Sequence, residues 1–478
     1  MNEIDLCYLP ATELIKQFKD KSISPVELMQ SMISRAEDTE PVVNAFSHRF
    51  FDVAMDQAKK AEHKYATGKR TGPLEGLPVA IKDESEIKGQ PCTSGSLPNK
   101  DYVASRTAVI NQRIMRAGGI VHARTTTPEF SCAGYTHSKL YGVTRNPWNP
   151  AYTSGGSSGG ASASLASGTC SLATGSDIGG SIRIPSATCA LVGLKPSFGR
   201  NPEDPPFNLD QYCHVGPMSR TVADTILLQN VMCGPHPSDI VSLKPKLRLP
   251  FNYKSIKGWK IAWSMDLGSY QVEDDVKENT LKALDVFRDL GATVEHVDLN
   301  WPDTMLKSGM DYLNHLFGTS MLDAYEEHGD LLTDYAIAFA KRGASSSARD
   351  FLRSQEVAGE MYNSFGKIMS KYNLFICPTN NLAAVKAEHN QAHDTIQING
   401  VEVDPLLGWV MTLPFNMLSR CPVVTMPTGI THYGIPTSIQ LVGGTYRESD
   451  VFRAGQAFER HEGQWFSNLS RRPTVVPA

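Results

Sequence analysis

The stretch TSGGSSGGASASLASGTCSLATGSDIGGSIRIPS, residues 153–186, concentrates residue types that could perform acyl-transfer chemistry. Four glycines surround Ser157 and Ser158, and Gly179-Gly180 directly precedes Ser181. Each glycine-rich turn presents a serine hydroxyl beside backbone N–H groups, because glycine leaves the backbone accessible. A hydroxyl next to converging N–H groups is typical of a nucleophile beside an oxyanion site.

A flexible Gly/Ser linker is the first alternative for this stretch. A linker is solvated and tolerates charge, yet only Asp177 and Arg183 are charged between Arg145 and Lys195. The same region carries several large aliphatic residues: Leu165, Leu172, Ile178, Ile182, Ile184, Leu191 and Val192. We therefore predict a buried segment whose small residues allow close approach of the backbone.

Other chemistries compete for the same residues. GGSSG matches the G-x-S-x-G nucleophile elbow, which needs an acid and then a histidine later in the chain. A phosphate loop is disfavoured because no Lys-Ser/Thr pair follows the glycines, and a purely structural Gly/Ser core stays open for the hexapeptide alone. His389 and His393 stand four apart in EHNQAHD, which departs from HExxH, so we predict no metal site.

The segment GLPVAIKDE predicts a short strand that leads to Lys82. Val79 and Ile81 alternate with smaller or charged neighbours, as in a β-strand. Alternation directs Asp83 to the opposite face and places Glu84 on the face of Lys82. Taken alone, Lys82 is better explained as a surface lysine on an exposed strand edge.

The remaining chain predicts an α/β fold. Ser24 to Glu27 forms a capping box with Pro25 at the first helical position. Around residues 259–298, a strand, a helix ending near Gly291 and a second strand predict a parallel crossover. Residues from about 301 to 372 are predicted to be a helical insertion, and SRCPVVTMPTG and IPTSIQLVGG to be strands. We predict a single domain over 1–478, with a helical N-terminal part over about 1–70.

Composition limits the class of protein. Apolar residues make up 41% of 478 and charged residues 20%, with a net charge of -4 and no long block of one sign. This balance argues against nucleic-acid or membrane partners bound through charge. The nine cysteines are never spaced CxxC, the first ten residues lack a signal-peptide pattern, and no apolar run suits a membrane span. We expect a soluble, cytoplasmic protein.

Four blocks, GLPVAIKD, GGSSGGASA, GSDIGGSIRIP and GLKPSFGR, occur in this order. Together they resemble the amidase signature family, serine hydrolases with a Ser–cis-Ser–Lys triad. GGIVHARTTTPEF, YGVTRNPWNP and PFNMLSRCPVVTMPTG extend the resemblance, which spans roughly residues 22–459. It implies one large α/β domain with a central mixed β-sheet flanked by helices.

The resemblance also implies roles for individual residues. Ser181 matches the nucleophile, Ser157 the bridging cis-serine, Lys82 the base and Ser158 a supporting hydrogen-bond partner. Further matched positions supply the oxyanion N–H groups (Ile178, Gly179, Gly180 and Ser181), a brace for that loop (Asp177 and Arg183) and a substrate-pocket residue (Ser131). No metal or other cofactor is implied.

The implied function is hydrolysis of the carbon–nitrogen bond of amides through an acyl-enzyme, with aryl amides and carbamates (urethanes) as candidate substrates. The alternative is the glutamine-hydrolysing A subunit of a tRNA-dependent amidotransferase. Its tyrosine-rich segment is not matched by DYAIAFAKRGASSSARDFLRSQEV. A silent binding protein is disfavoured because Lys82, Ser157 and Ser181 are all present. We expect a small-molecule amide or carbamate as ligand and a monomer or homodimer.

Two features stay open. Arg420 stands where family members often have Gly, and it is either a pocket residue that selects the acyl or carbamoyl group or a surface charge. The helical insertion offers apolar residues that either line the pocket or belong to ordinary core: Leu313, Leu316, Phe317, Met321 and Leu322.

Overall fold

A mixed eleven-stranded β-sheet runs through the molecule in the computed structural model, which describes residues 3–475. In chain order the strands are β1 (Phe46–Arg49), β2 (Pro78–Lys82), β3 (Ile120–Thr125), β4 (His137–Ser138), β5 (Gly142–Val143), β6 (Leu172–Ser176), β7 (Val192–Lys195), β8 (Val215–Ser219), β9 (Lys260–Trp263), β10 (Thr293–His296), β11 (Leu374–Pro378), β12 (Ile396–Ile398), β13 (Val401–Val403), β14 (Val423–Ile430) and β15 (Pro436–Val442). β4 with β5 and β12 with β13 form two small separate pairs.

The strand order of the large sheet is β1-β3-β2-β6-β8-β7-β14-β15-β11-β9-β10. Parallel pairing joins β3, β2 and β6 on one side and β11, β9 and β10 on the other. The strands between them, from β6 through to β11, pair antiparallel. The predicted α/β class with a central mixed sheet is therefore confirmed.

Helices cover both faces of the sheet. They are α1 (Glu3–Tyr8), α2 (Ala11–Asp20), α3 (Pro25–Val43), α4 (Phe51–Ala66), α5 (Val109–Arg116), α6 (Gly159–Ser167), α7 (Arg183–Thr188), α8 (Val222–Met232), α9 (Asp274–Asp289), α10 (Met305–Leu313), α11 (Leu322–His328), α12 (Asp334–Ser345), α13 (Ala348–Met369), α14 (Pro414–Met417) and α15 (Glu448–Glu462). Across residues 3–475, every helix falls short of the length or apolarity required to cross a bilayer.

Strand β11 shows how the sheet is buried on both faces. Leu374 and Ile376 pack into the core beneath α8, α9 and α15. Phe375 and Cys377 point the other way, into the core formed with α10, α12 and α13. A continuous apolar run such as LFICP suits a strand covered on both sides, because successive side chains alternate between faces.

Local signals in the sequence correspond to these elements. Ser24 and Glu27 form the predicted capping box at the start of α3, with Pro25 at its first position. The predicted crossover is present as β9, α9 and β10, with β9 and β10 parallel. The region from 301 to 372 contains α10 to α13, joined in part by a π-helical turn, Asn314–Gly318. β1 is a strand that the pattern of the N-terminal region did not predict.

The Gly/Ser stretch is core and not a linker. Every residue of α6 is buried. A Cβ on Gly160 would lie 2.4 Å from the backbone nitrogen of Thr126, so only glycine allows this packing distance. The linker alternative is thus wrong, and the small residues serve close backbone packing as predicted.

The fold brings two sequence blocks to one edge of the sheet. β2 and β6 are parallel neighbours, so their carboxyl ends, at Lys82 and Ser176, meet at the same edge. The chain then turns from β6 through residues 177–182 into α7. The carboxyl edge of parallel strands is the usual place for a functional site in α/β proteins.

Candidate active site

Lys82 is a buried lysine at the end of β2. Its side chain is 1% exposed, which excludes a lysine on an exposed strand edge. Its Nζ atom donates to Ser157 Oγ at 2.7 Å and to Ser176 Oγ at 2.8 Å. Glu84 Oε1 lies 3.1 Å from the same Nζ. The side chain therefore has three polar partners, which matches the three hydrogens of an ammonium group.

Glu84 connects this lysine to the predicted pocket loop. Its side chain is 25% exposed and lines the cavity beside the serines. Its Oε2 atom accepts a hydrogen bond from Ser131 Oγ. The Ser131 hydroxyl is also 2.8 Å from Thr127 Oγ1, and Ser131 itself lines the cavity. Ser131 thus reaches the lysine through the Glu84 carboxylate.

Burial and pairing act in opposite directions on the Lys82 pKa. Burial lowers the pKa of Lys82, and the carboxylate of Glu84 partly offsets this by favouring the ammonium form. The net result is a pKa below the ordinary lysine value. Burial alone would raise the pKa of Glu84, but the Lys82 charge and the hydroxyls of Ser131 and Ser176 hold it below its usual range.

Ser181 lies just before α7 and lines a small recess beside the cavity. It is 7% exposed, and its hydroxyl has no hydrogen-bond partner in the part of the chain described. Its carbonyl oxygen accepts from the backbone N–H of Ser158 at 3.2 Å, which ties the two glycine-rich turns together. The peptide bond between Gly156 and Ser157 is cis. Ser157 lines the large cavity, which shares Ser131, Ile178 and Phe317 with the recess around Ser181.

Four consecutive backbone N–H groups lead up to and include that of Ser181. Within residues 3–475, the amides of Ile178, Gly179, Gly180 and Ser181 have no hydrogen-bond acceptor. Ile178, Gly179 and Ser181 line the recess beside the cavity. Nearly all buried backbone donors in proteins are paired, so a run without acceptors at a cavity wall can receive an external oxygen.

A buried ion pair braces this loop from behind. Arg183 donates to the Asp177 carboxylate through Nε at 2.9 Å and Nη2 at 2.8 Å, and both side chains are fully buried. Asn416, Thr412 and Gln440 accept the remaining guanidinium hydrogen bonds. Although burial alone would raise the pKa of Asp177, Arg183 lowers it to about 2. Removing one partner of such a pair costs about 3–5 kcal/mol, because it leaves a buried charge uncompensated.

Gly180 and Gly179 offer a matched test of how tightly the loop is built. Gly180 has φ +132°, and a Cβ there would lie 2.0 Å from Thr412 Oγ1. At Gly179 the nearest atom would be Leu407 Cδ1, at 3.4 Å. We expect Gly180→Ala to lower the melting temperature by several degrees and the activity by about 10²-fold. Thermal unfolding and turnover of Gly180→Ala and of Gly179→Ala would check this. A Gly180→Ala variant as stable as Gly179→Ala would contradict it.

The cavity next to the serines has a volume of about 570 Å³. This lies within the range of small-molecule sites. Its wall is largely apolar and includes Phe130, Phe207, Phe317 and Met321. A smaller recess that holds Ser181 adjoins this cavity, because Ser131, Ile178 and Phe317 line both. The site therefore suits a ligand with an apolar or aromatic group.

Carboxyl groups occupy one side of this cavity. Glu86 and Asp204 are both paired with Arg106. Glu203 receives a hydrogen bond from the Cys213 thiol at 3.4 Å. Burial raises the pKa of Glu203 to about 8, and the neighbouring carboxylates add to the shift. This carboxyl is therefore mostly protonated at neutral pH, which limits the negative charge that the cavity presents.

The structure resolves the two open features. Arg420 is exposed and donates to Gln211 Oε1 at 3.1 Å, so it is a surface charge. Of the insertion residues, Leu313, Phe317 and Met321 line the cavity or its recess. Leu316 is 37% exposed and Leu322 packs against the core, so the lining prediction is wrong for these two.

The two histidines considered as a zinc pair have separate partners. His389 Nε2 is 2.9 Å from the carbonyl oxygen of Pro405. His393 Nε2 is 2.9 Å from Asp334 Oδ2. The segment between them is a turn and not a helix, so the spacing of four does not place both rings on one helical face.

Sequence reasoning missed several residues that hold the site. Ser176 contacts the lysine, and Thr412 Oγ1 donates to the carbonyl oxygen of Gly179 at 2.6 Å. Asn416 Nδ2 donates to Asp177 Oδ1 at 2.8 Å. Ser176 directly precedes Asp177 in a matched block, which was an available signal. Thr412 and Asn416 lie more than 200 residues away, and no local pattern connects them to the loop.

Comparison with known proteins agrees with this architecture. A family model described as Amidase matches residues 27–452. An acylamidase of Rhodococcus erythropolis is 33% identical over 467 residues and covers 96% of each chain. The crystal structure of a bacterial aryl acylamidase of the amidase signature family superposes with a TM-score of 0.91 at 30% identity, covering 98% of this chain and 99% of that one. The A subunit of the glutamyl-tRNA(Gln) amidotransferase of Chloroflexus aurantiacus is 30% identical over 99% of each chain.

The fold and these similarities define an enzyme that hydrolyses amides. More particularly, the chain belongs to the amidase signature family. The resemblance in the four sequence blocks therefore extends to the fold of nearly the whole chain.

Proposed function

We propose that the enzyme cleaves the carbon–nitrogen bond of amides through a Ser–cis-Ser–Lys triad. In this proposal Ser181 is the nucleophile, Ser157 transfers the proton and Lys82 is the base. The backbone N–H groups of residues 178–181 stabilise the oxyanion. The observation that carries the proposal is the 2.7 Å contact between the buried Lys82 Nζ and Ser157 Oγ, with Ser157 in the large cavity and Ser181 in the adjoining recess.

The reaction begins with two proton transfers. Neutral Lys82 takes the hydroxyl proton of Ser157, while Ser157 takes that of Ser181. Ser181 Oγ bonds to the acyl carbon, and the carbonyl oxygen becomes an oxyanion held by the loop N–H groups. Hydrogen bonds between catalytic groups often tighten only when substrate binds. The proposed relay therefore requires the Ser181 hydroxyl to form its hydrogen bond to Ser157 in the complex with substrate.

Collapse of the tetrahedral intermediate then breaks the carbon–nitrogen bond. The leaving nitrogen receives the proton from Ser157, which regains one from Lys82. A water molecule next attacks the acyl carbon and gives its proton through Ser157 to Lys82. The bond between Ser181 Oγ and the acyl carbon then breaks, and Ser181 regains its proton from Lys82 through Ser157. The released products are the acid and the amine, and all three side chains return to their starting states.

We propose aryl amides as the substrate class, with aryl carbamates as a related group. The apolar wall around Phe130, Phe207 and Phe317 supports an aromatic substituent. The similarity to an acylamidase and an aryl acylamidase supports the same choice. A carbamate presents the same carbon–nitrogen bond and reaches the same tetrahedral geometry at Ser181.

Glutamine hydrolysis, as in the A subunit of an amidotransferase, is the second candidate. The 30% identity to such a protein over 99% of both chains favours keeping it. A glutamine molecule is small, and its α-carbon bears a charged ammonium and a charged carboxylate group. It would therefore leave the apolar wall of a 570 Å³ cavity unfilled. The cavity therefore favours a larger, less polar substrate.

A substrate panel separates the two candidates. We expect kcat/KM for an acyl anilide to exceed that for glutamine by at least about 10²-fold, because an unfilled apolar pocket forfeits several kcal/mol of binding. A primary aliphatic amide and an aryl carbamate complete the panel. Release of aniline and ammonia gives the rates, and Ser181→Ala corrects for background. Faster ammonia release from glutamine would reverse the assignment of substrate.

A further inference from the structure

The three contacts of Lys82 Nζ restrict how it can act as a base. A neutral amine has two hydrogens and one lone pair, so one of the three partners must donate to it. An ionised carboxylate only accepts, so Glu84 must receive one of the two amine hydrogens. The lone pair is then left for a hydroxyl, either that of Ser157 or that of Ser176.

Glu84 also favours one hydroxyl over the other. The Ser176 hydroxyl accepts a hydrogen bond from Lys82, and it also helps to hold the pKa of Glu84 below its usual range. A hydroxyl stabilises an ionised carboxylate by directing its hydrogen towards it. With its own hydrogen directed to Glu84, Ser176 can only accept from the lysine. Ser157 is then the one hydroxyl of the pair that remains able to donate to the lone pair, as the proposed relay requires.

We propose that Glu84 is a positioning residue for amide hydrolysis: it directs the Lys82 lone pair towards Ser157 and sets the pH above which Lys82 accepts a proton. This inference rests on the proposed role of Lys82. Ser131 supports it by donating to Glu84 Oε2, which fixes the orientation of the carboxylate.

Other ionisable groups act on the pair from neighbouring segments. Asp177, and Cys213 in its ionised form, also favour the charged form of Lys82, but more weakly than Glu84 does. The negative charge of Glu84 in turn helps to raise the pKa of Glu203, Cys213 and Cys92. Burial raises the pKa of both thiols, so they stay uncharged near neutral pH. Glu84 is therefore the main negative charge acting on the lysine.

The test is the pH dependence of kcat/KM for Glu84→Gln, with Glu86→Gln as the matched control. Glu86 lines the same cavity but pairs with Arg106. Loss of a carboxylate disfavours the ammonium form, so we expect the acid limb of Glu84→Gln to move about one to three pH units lower. We expect its plateau to fall about tenfold, because a less basic lysine is a weaker base. The control limb should stay in place.

Several outcomes would overturn the inference. These are an unmoved or higher limb in folded Glu84→Gln, complete loss of activity at every pH, or a change in KM alone. If Glu84→Gln does not fold, Glu84→Asp replaces it, with a shift in the same direction of less than about one unit, and an unmoved limb there counts against the inference. Mass spectrometry of quenched reactions separates this failure from failure of the proposed function. Acylated Ser181 with an unmoved limb rejects only the role of Glu84, whereas wild type without acylation at Ser181 rejects the triad.

Discussion

Replacing Ser181 by alanine is expected to lower turnover by about four orders of magnitude or more while leaving the fold intact. The proposed acyl-enzyme forms on its hydroxyl oxygen, which alanine lacks. Alanine occupies less space than serine, and the Ser181 hydroxyl has no hydrogen-bond partner within the described chain, so its loss leaves no buried group unpaired. Initial rates on an anilide and a circular dichroism spectrum check both parts of this expectation.

Ser186→Ala is the matched control for this variant. Ser186 is a fully buried serine of the adjoining α7 whose hydroxyl also has no hydrogen-bond partner in residues 3–475. It does not contribute to the cavity wall around Ser181. We expect its turnover to stay within about threefold of wild type. A folded Ser181→Ala enzyme that kept a tenth of the wild-type rate would show that another nucleophile operates.

Local signals predicted the framework of this protein well. The capping box at Ser24 and the alternation in VAIK depend on neighbouring residues, so a short window of sequence contains the information. The burial of the Gly/Ser stretch also followed from its lack of charge and its aliphatic content. The order of the eleven strands could not be predicted in this way. β14 and β15 insert between β7 and β11, and β14 lies more than 200 residues beyond its partner β7 in the chain.

The candidate site likewise combines residues that the sequence predicts with contacts that only the structure shows. The matched blocks predicted Lys82, Ser157 and Ser181 as site residues. The structure places Lys82 in contact with Ser157 at the large cavity and Ser181 in the adjoining recess. Alternation placed Glu84 on the face of Lys82, but only the structure gives the 3.1 Å contact and the bond from Ser131. Ser131 has φ +60°, a left-handed conformation that a serine in the sequence does not predict.

The chain contains a second buried lysine that must be distinguished from Lys82. Lys195 is fully buried and donates to the backbone carbonyls of Pro196, Ser419 and Cys421. Burial, with the nearby Arg183 charge, lowers the pKa of Lys195 to about 7. Either lysine could therefore produce an acid limb in a pH–rate profile. Of these two lysines, Lys82 is the one that contacts a serine of the cavity, so we assign the acid limb of the profile to Lys82.

The corresponding prediction is that Lys82→Met loses about 10²- to 10⁴-fold in rate and the acid limb with it. The folded pKa of Lys82 lies below the ordinary lysine value, and only the neutral amine accepts a proton. Wild-type activity must therefore rise with pH through that lowered pKa. Methionine has similar length and no basic group, so the residual rate should not respond to pH in this range. Profiles of kcat/KM for both enzymes provide the measurement.

Lys82→Arg and Lys195→Met separate a base from a structural cation. Guanidinium stays charged and cannot accept a proton, so folded Lys82→Arg should be as slow as Lys82→Met. A cation needed only to hold Ser157 and Glu84 would instead tolerate arginine. Lys195→Met should lose stability, because three carbonyls lose a donor, yet keep the acid limb whenever it is folded. Near-normal turnover in Lys82→Arg would exclude Lys82 as the base, and so would loss of the acid limb in folded Lys195→Met. In either case the proton would leave Ser157 by another route.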